Sequence, residues 1–124
     1  MDPVDRALTD AMTIRGALGA AVVDYLSRVT LGARGGLPGL DLQKAGEADT
    51  DVVRAKLHAL SVLGYPAESL EDILVTLTDE YHLIRPVTRR KLQGIYLYLV
   101  LDRHRAPLAV ARARLREIES RLDM

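Results

Sequence analysis

Three histidines, His58, His82 and His104, are the first side chains in this sequence that could bind a metal or move a proton. A zinc site needs several nitrogen, sulfur or carboxylate donors converging on one point, often announced by closely spaced pairs. Here each histidine falls on a different expected element, and none is spaced with another histidine or with a carboxylate run. His82 alternates with apolar neighbours and reads as a partly buried structural residue. Asp102-Arg103-His104 has the composition of a kinase catalytic-loop triplet, but in reversed order and without the downstream asparagine. Ser27, Ser61, Ser69 and Ser120 lack the strand–turn–helix setting of a nucleophile elbow. The carboxylate pairs Glu71-Asp72 and Asp79-Glu80 bracket one short apolar run, where solvated turn residues are expected. The chain has no cysteine, which excludes thiol nucleophiles, thiolate metal sites and disulfides. No catalytic residue, metal site or cofactor is expected.

Phosphate chemistry fares no better. The glycine-rich stretch from Gly32 to Gly39 lacks the Gly-Lys-Ser/Thr that would open a helix beneath a bound phosphate, so it reads as a flexible connection. Nucleotide hydrolysis by the chain itself is therefore not expected. Arg85, Arg89, Arg90 and Lys91 form a basic cluster at a hairpin end, a pattern that can grip phosphates in ribbon-type DNA binders. Against that reading, the formal net charge is zero and no helix-turn-helix pattern is present. There is also no Phe or Trp on which bases could stack, and only 5 Tyr. A solvated loop tip or an acidic protein partner fits the cluster better than nucleic acid. Charge is nevertheless uneven: residues 1–84 carry 7 basic and 13 acidic side chains, residues 85–124 carry 10 and 4. Such asymmetry either marks a face for a charged partner or places two patches where they offset each other.

The elements behind these residues can be read in order. Asp2-Pro3 starts a helix, with Asp as N-cap and Pro in the first turn, and Asp5 complements the helix dipole. Val4, Leu8, Ala11 and Met12 give it an apolar face, and Gly16 is its expected stop. Ala17 to Tyr25 reads as a buried strand, turned at Leu26-Ser27-Arg28 into a short return strand, Val29 to Leu31. A long helix follows from about Asp41 to Leu63, ended by Gly64 and Pro66. From Glu71 to Leu122 the pattern runs unbroken: strand Ile73–Thr78, reversal at Asp79-Glu80, strand Tyr81–Arg85, strand Ile95–Leu101, and a helix from Pro107. That last helix carries Leu108, Ala111, Leu115, Ile118 and Leu122 at amphipathic spacing. Short turns between sequential strands imply antiparallel pairing, and helices flanking such a sheet make an α+β domain. At 124 residues, the length fits one domain. Its longest apolar run, Ala17 to Val23, is far short of the ~20 residues that span a bilayer, and the acidic N-terminus carries no secretory pattern. A soluble, cytoplasmic protein is expected.

One helix has more apolar surface than a single sheet needs. On the long helix Val53, Leu57 and Leu60 make one stripe, while Leu42, Ala45, Val52, Ala59 and Leu63 make a broader second one. A helix packed only on its own sheet needs one stripe. Cover on a second side, as in a homodimer, accounts for the surplus. The β-branched third strand would otherwise be an exposed sheet edge, and points the same way.

Element order and several local strings together resemble the Roadblock family of dynein-light-chain-like homodimeric domains, over nearly the whole chain. Ile14 to Asp24 resembles the family's opening helix end, glycine and apolar strand. Glu71-Asp72-Ile73-Leu74-Val75 followed by Tyr81-His82-Leu83-Ile84-Arg85-Pro86 resembles its central hairpin, and Leu97–Asp102 leading into Leu108–Arg112 its last strand and helix. Leu26-Ser27-Arg28 departs from the family's commoner Asp-Gly type turn, and the loop Thr88 to Gln93 is longer and more basic. The resemblance implies a five-stranded antiparallel sheet, with the long helix on one face and the two terminal helices on the other, in the order α-β-β-α-β-β-β-α. It implies a non-catalytic homodimeric adaptor or regulator of a Ras-like small GTPase. The alternative is a ligand-sensing or structural dimerisation module unconnected with a GTPase. Dimerisation through the third strand and long helix would involve Val53, Leu57, Leu60, Ile73, Val75 and Leu77. Polar residues on the outer side of the helix, Gln43, Glu47, Arg54, Lys56 and His58, are the candidate partner contacts.

Overall fold

In a computed structural model that describes residues 1–89 and 92–124, eight regular elements run in the order read from the sequence. They are α1 (Pro3–Met12), β1 (Ala17–Asp24), β2 (Val29–Gly35), α2 (Leu42–Leu63), β3 (Ile73–Thr76), β4 (Glu80–Val87), β5 (Ile95–Asp102) and α3 (Leu108–Arg121), with a 3-10 turn at Ala67–Ser69. The strands form one antiparallel sheet in the spatial order β2-β1-β5-β4-β3. The first and last strands, β1 and β5, lie side by side at its centre.

Helices cover both faces. On one, Leu8, Ala11 and Ile14 from α1 or its end and Leu115 and Ile118 from α3 pack over Val22, Leu83, Leu97, Leu99 and Leu101. On the other, Leu42 and Val53 of α2 pack over Ala21, Val23, Ile84, Tyr96, Tyr98 and Val100. Being buried on both faces, β5 has to be apolar at every position from Ile95 to Leu101, which is why its sequence shows no alternation. Pro86 is tolerated in β4 because it lies beyond the last β3 pairing, Ile73 with Ile84.

Local chemistry sets most element ends. Asp2 accepts from the Asp5 amide at 2.8 Å and Asp41 from the Lys44 amide at 3.0 Å, each satisfying a free donor at a helix start. Gly64 closes α2 in the left-handed conformation at φ 85°. Several boundaries differ from the sequence expectation, and β4 runs from Glu80 to Val87, longer at both ends than the expected Tyr81–Arg85. α1 stops at Met12, capped by Thr13, rather than at Gly16. Gly16 instead makes the turn into β1 at φ 84°, where a Cβ would stand 2.8 Å from that of Ala106. β3 ends at Thr76, and the reversal occupies Leu77 to Asp79, closed by the Leu77 amide donating to the Glu80 carbonyl at 2.8 Å. The largest difference is β2. Gly32 to Gly35, expected to be a flexible connection, continue the strand and pair with Gly19 to Val22. Gly32 sits beneath α1, where a Cβ would come within 2.9 Å of Val4 and 3.0 Å of Leu8.

Candidate partner-binding surface

Among the described residues, no group of three or more His, Asp or Glu side chains is placed to hold a metal ion. The three histidines stay apart in role. His58 is exposed on α2, and His104 pairs with Asp79 across an exposed turn at 2.9 Å. His82 is half-buried on β4, its Nε2 2.9 Å from Glu80 and its Nδ1 3.0 Å from the Tyr98 hydroxyl.

The two described residues of the basic cluster, Arg85 and Arg89, are engaged within the protein. Arg85 is largely buried, 3.7 Å from the Glu119 carboxylate and 3.2 Å from the Glu71 carbonyl. Arg89 donates to the carbonyls of Glu119 and Leu122 at 2.7 and 2.8 Å, capping the C-terminal end of α3, whose last carbonyls have no helical partner. Arg90 and Lys91 lie outside the described residues. Glu119, the ion partner of both described arginines, was not singled out in the sequence. Its spacing, four residues after Leu115 and three before Leu122, puts it on the apolar stripe of α3 and was the available signal.

What remains is α2 and the sheet edge beside it. Gly46 lets the first half of α2 press onto the sheet: a Cβ there would stand 2.9 Å from Val23 and 3.0 Å from Thr30. Its carbonyl accepts from the Tyr96 hydroxyl and from Thr50 Oγ1. Burial pushes the Tyr96 phenol up to about 12. The β1–β2 turn grips the other side of α2. Arg28 there ion-pairs with Asp51 and donates to the Glu47 carbonyl at 3.2 Å. Its guanidinium holds the Asp51 carboxyl below the usual carboxylate range.

These contacts orient the helix. Asp49 lies towards Tyr98 and His82, on the β5–β4 side, where burial raises its carboxyl, whereas Asp51 and Glu47 lie towards Arg28 at the start of β2. Helical spacing then puts Ala45, Val52, Lys56, Ala59 and Leu63 on the flank of Asp49, towards β4 and β3. Gln43, Glu47, Arg54 and His58 line the opposite flank. All five polar candidates are exposed, but Lys56 is not on the same side as the other four.

The six apolar candidates divide differently from expectation. Val53 is fully buried against its own sheet, and Leu57 and Ile73 pack half-buried on the same cluster. Leu60 and Val75 are half-buried, and Leu77 lies exposed just past the end of β3. Val53, Leu57 and Leu60 thus form the inward stripe. The second stripe borders the open edge: Val52 is 40% exposed and Leu63 67% exposed, with Val62 and Tyr65 also open beside them. Helical periodicity separates two stripes but does not say which one meets the sheet.

The two sheet edges are not alike. β2 is broken by a bulge opposite Val22 and Val23, a device that discourages edge pairing. β3 pairs with β4 in unbroken register from Ile73 to Thr76, and its outer side carries no strand among the described residues.

No protein-family model matches the chain, and no curated protein matches it closely enough to be significant. Solved structures do match. The chain superposes on the Roadblock/LC7 domain from Streptomyces avermitilis with a TM-score of 0.75 at 11% identity, covering 97% of this chain and 93% of that one. Against MglB of Myxococcus xanthus the TM-score is 0.74 at 16% identity, over 95% and 80% of the two chains. The chain has the Roadblock fold. A structure of MglB in a tetrameric arrangement matches at a TM-score of 0.77 and 17% identity, over 97% and 87%. Within this Roadblock fold no described helix is long and apolar enough to cross a membrane.

Proposed function

We propose that this protein is a non-catalytic homodimeric adaptor or regulator of a Ras-like small GTPase, as its resemblance to the Roadblock family implies. One observation carries the reading: the unbulged β3 edge lies next to an open apolar flank of α2. A second copy paired along β3 would extend the sheet and bring the two α2 helices together on one face. Ala45, Val52, Ala59 and Leu63 would then be the helix contacts. The tetrameric arrangement known for MglB supports self-association as a property of this fold. The opposite flank of α2, with Gln43, Glu47, Arg54 and His58, remains open in such a dimer and is the proposed platform for the GTPase.

Two measurements test this. Light scattering at about 50 μM, well above the dissociation constant of a moderate dimer, is expected to return twice the chain mass. A monomer would overturn the dimer. The immobilised protein, exposed to lysate of its source cell, is expected to enrich a protein with a Gly-x-x-x-x-Gly-Lys-Ser/Thr loop, with recovery differing between GTP and GDP. Failure to enrich any such protein with either nucleotide would overturn the GTPase assignment.

A further inference from the structure

The carboxylate pairs Glu71-Asp72 and Asp79-Glu80 bracket β3, and in the folded protein each of the four has a basic partner. Asp72 is held by Arg112 of α3 at two points, Nε donating to Oδ2 at 3.0 Å and Nη2 to Oδ1 at 2.6 Å. Beside it Arg116 lies 3.6 Å from the Glu71 carboxylate, and Arg85 of β4 donates to the Glu71 carbonyl at 3.2 Å. Past the other end of β3, the Arg103 side chain donates to the Leu77 carbonyl and its amide to the Asp79 carbonyl, both at 3.0 Å, while His104 meets the Asp79 carboxylate. Basic residues from the last third of the chain thus converge on the two ends of one strand.

That strand has little else to hold it. β3 has four residues, fewer than the ~5–6 of an average strand, and pairs with β4 alone among the described residues. Ile73, Leu74 and Val75 are only half-buried, and the chain arrives from α2 through exposed Tyr65 and Pro66. Magnitudes single out one of the end contacts. The His104–Asp79 and Arg116–Glu71 pairs are more than half exposed on both sides, and such pairs add little. Asp72 differs, because its side chain is 9% exposed while that of Arg112 is 43% exposed. A carboxylate withdrawn from water depends on its cation, and the two-point contact fixes direction as well as distance. By strand alternation Asp72 shares the side of Leu74, which packs into the α1–α3 core, and not that of Ile73, which packs beneath α2.

We propose that Arg112 is a positioning residue for self-association: through Asp72 it fixes the β3 edge from the sheet face opposite α2. The proposal rests on the dimer reading above, in which β3 pairs with a second copy. The effect of Arg112 is carried by Asp72 and not by the second copy. Without Arg112, Asp72 must leave its buried place to regain water, and it draws the first residues of β3 with it. Without Asp72, the hold on β3 is also lost, but Arg112 only turns further into solvent and no buried charge is stranded. The two substitutions are therefore unequal, and removing Asp72 makes the loss of Arg112 almost silent.

Sedimentation equilibrium of the full chain tests this as a double-mutant cycle. Arg112→Ala is expected to weaken self-association about tenfold and Asp72→Ala about threefold. In the Asp72→Ala background, Arg112→Ala is expected to change it by less than about twofold. A tenfold loss that persists in that background would show that Arg112 acts without Asp72 and overturn the proposal. So would unchanged association in either single variant. A wild type that is monomeric at every concentration would refute the dimer reading, and amide hydrogen exchange then decides the hold on β3 by itself. Alternation from the Leu77–Glu80 bond turns the Ile73 and Val75 amides towards β4, so their exchange reports whether β3 stays paired. Arg112→Ala is expected to speed both about tenfold and to leave the Leu99 amide of the central strand β5 unchanged. No change at β3, or equal acceleration at Leu99, would show that Arg112 does not position the strand.

Discussion

Glycine at position 46 is an odd choice by local criteria, since mid-helix glycine costs about 1 kcal/mol relative to alanine. Its context explains it. A side chain there would meet Val23 and Thr30 at 2.9 and 3.0 Å, so glycine sets how closely α2 approaches the sheet. Gly46→Ala gains helix propensity but forces α2 outward, breaking the fit that lets Tyr96 reach the Gly46 carbonyl. Overpacking of this kind costs about 1–3 kcal/mol, so a net loss of about 1 kcal/mol is expected. Thermal unfolding is the check, with a midpoint lower by about 4 °C. A raised midpoint would show that the close approach carries no stability. Nothing in the sequence distinguished Gly46 from a neutral helix residue, because its role depends on what lies beneath it.

At the scale of elements, legibility follows the range of the interaction that defines each one. The caps of α2 were readable because Asp41 and Gly64 act within a few residues of themselves. β5 was readable because burial on both faces demands an unbroken apolar run. The extension of β2 was not, because four residues that include two glycines carry no strand propensity. Pairing to β1 and the close packing of α1 make them a strand. The same limit applies to α2, where both stripes were visible but their directions were not. Orientation now yields a sharper test of the dimer than the inward residues could. Val52→Asp places a charge on the open flank and is expected to leave a folded monomer. Val53→Asp places it in the core, fully buried, and is expected to unfold the chain. Circular dichroism and light scattering together read both outcomes. Dimeric Val52→Asp protein would show that this flank is not an interface.

For the whole molecule, the inner stripe of α2 meets its own sheet, and the proposed function assigns one of its flanks to a second copy and the other to a partner. Arg54 lies on that last flank, exposed, with Glu47 and His58 at helical spacing from it. An arginine presented in trans can stabilise the charge that develops in phosphoryl transfer, so Arg54 could be read as a catalytic finger. Its position argues otherwise. It rises from the middle of a 22-residue helix, capped at both ends and fixed to the sheet by Gly46 and Val53, without the reach of a loop. Such a residue is suited to holding a partner surface and leaving the partner's own groups to do the chemistry. Arg54→Ala is therefore expected to weaken the complex about tenfold, the loss typical of a contact worth somewhat over 1 kcal/mol. GTP turnover in the saturated complex should change less than twofold. Titration of the GTPase with wild-type and variant protein, followed by single-turnover hydrolysis at saturation, separates the two effects. Intact binding with stimulated hydrolysis abolished would replace the adaptor reading with a catalytic one, and would require α2 to approach the nucleotide directly.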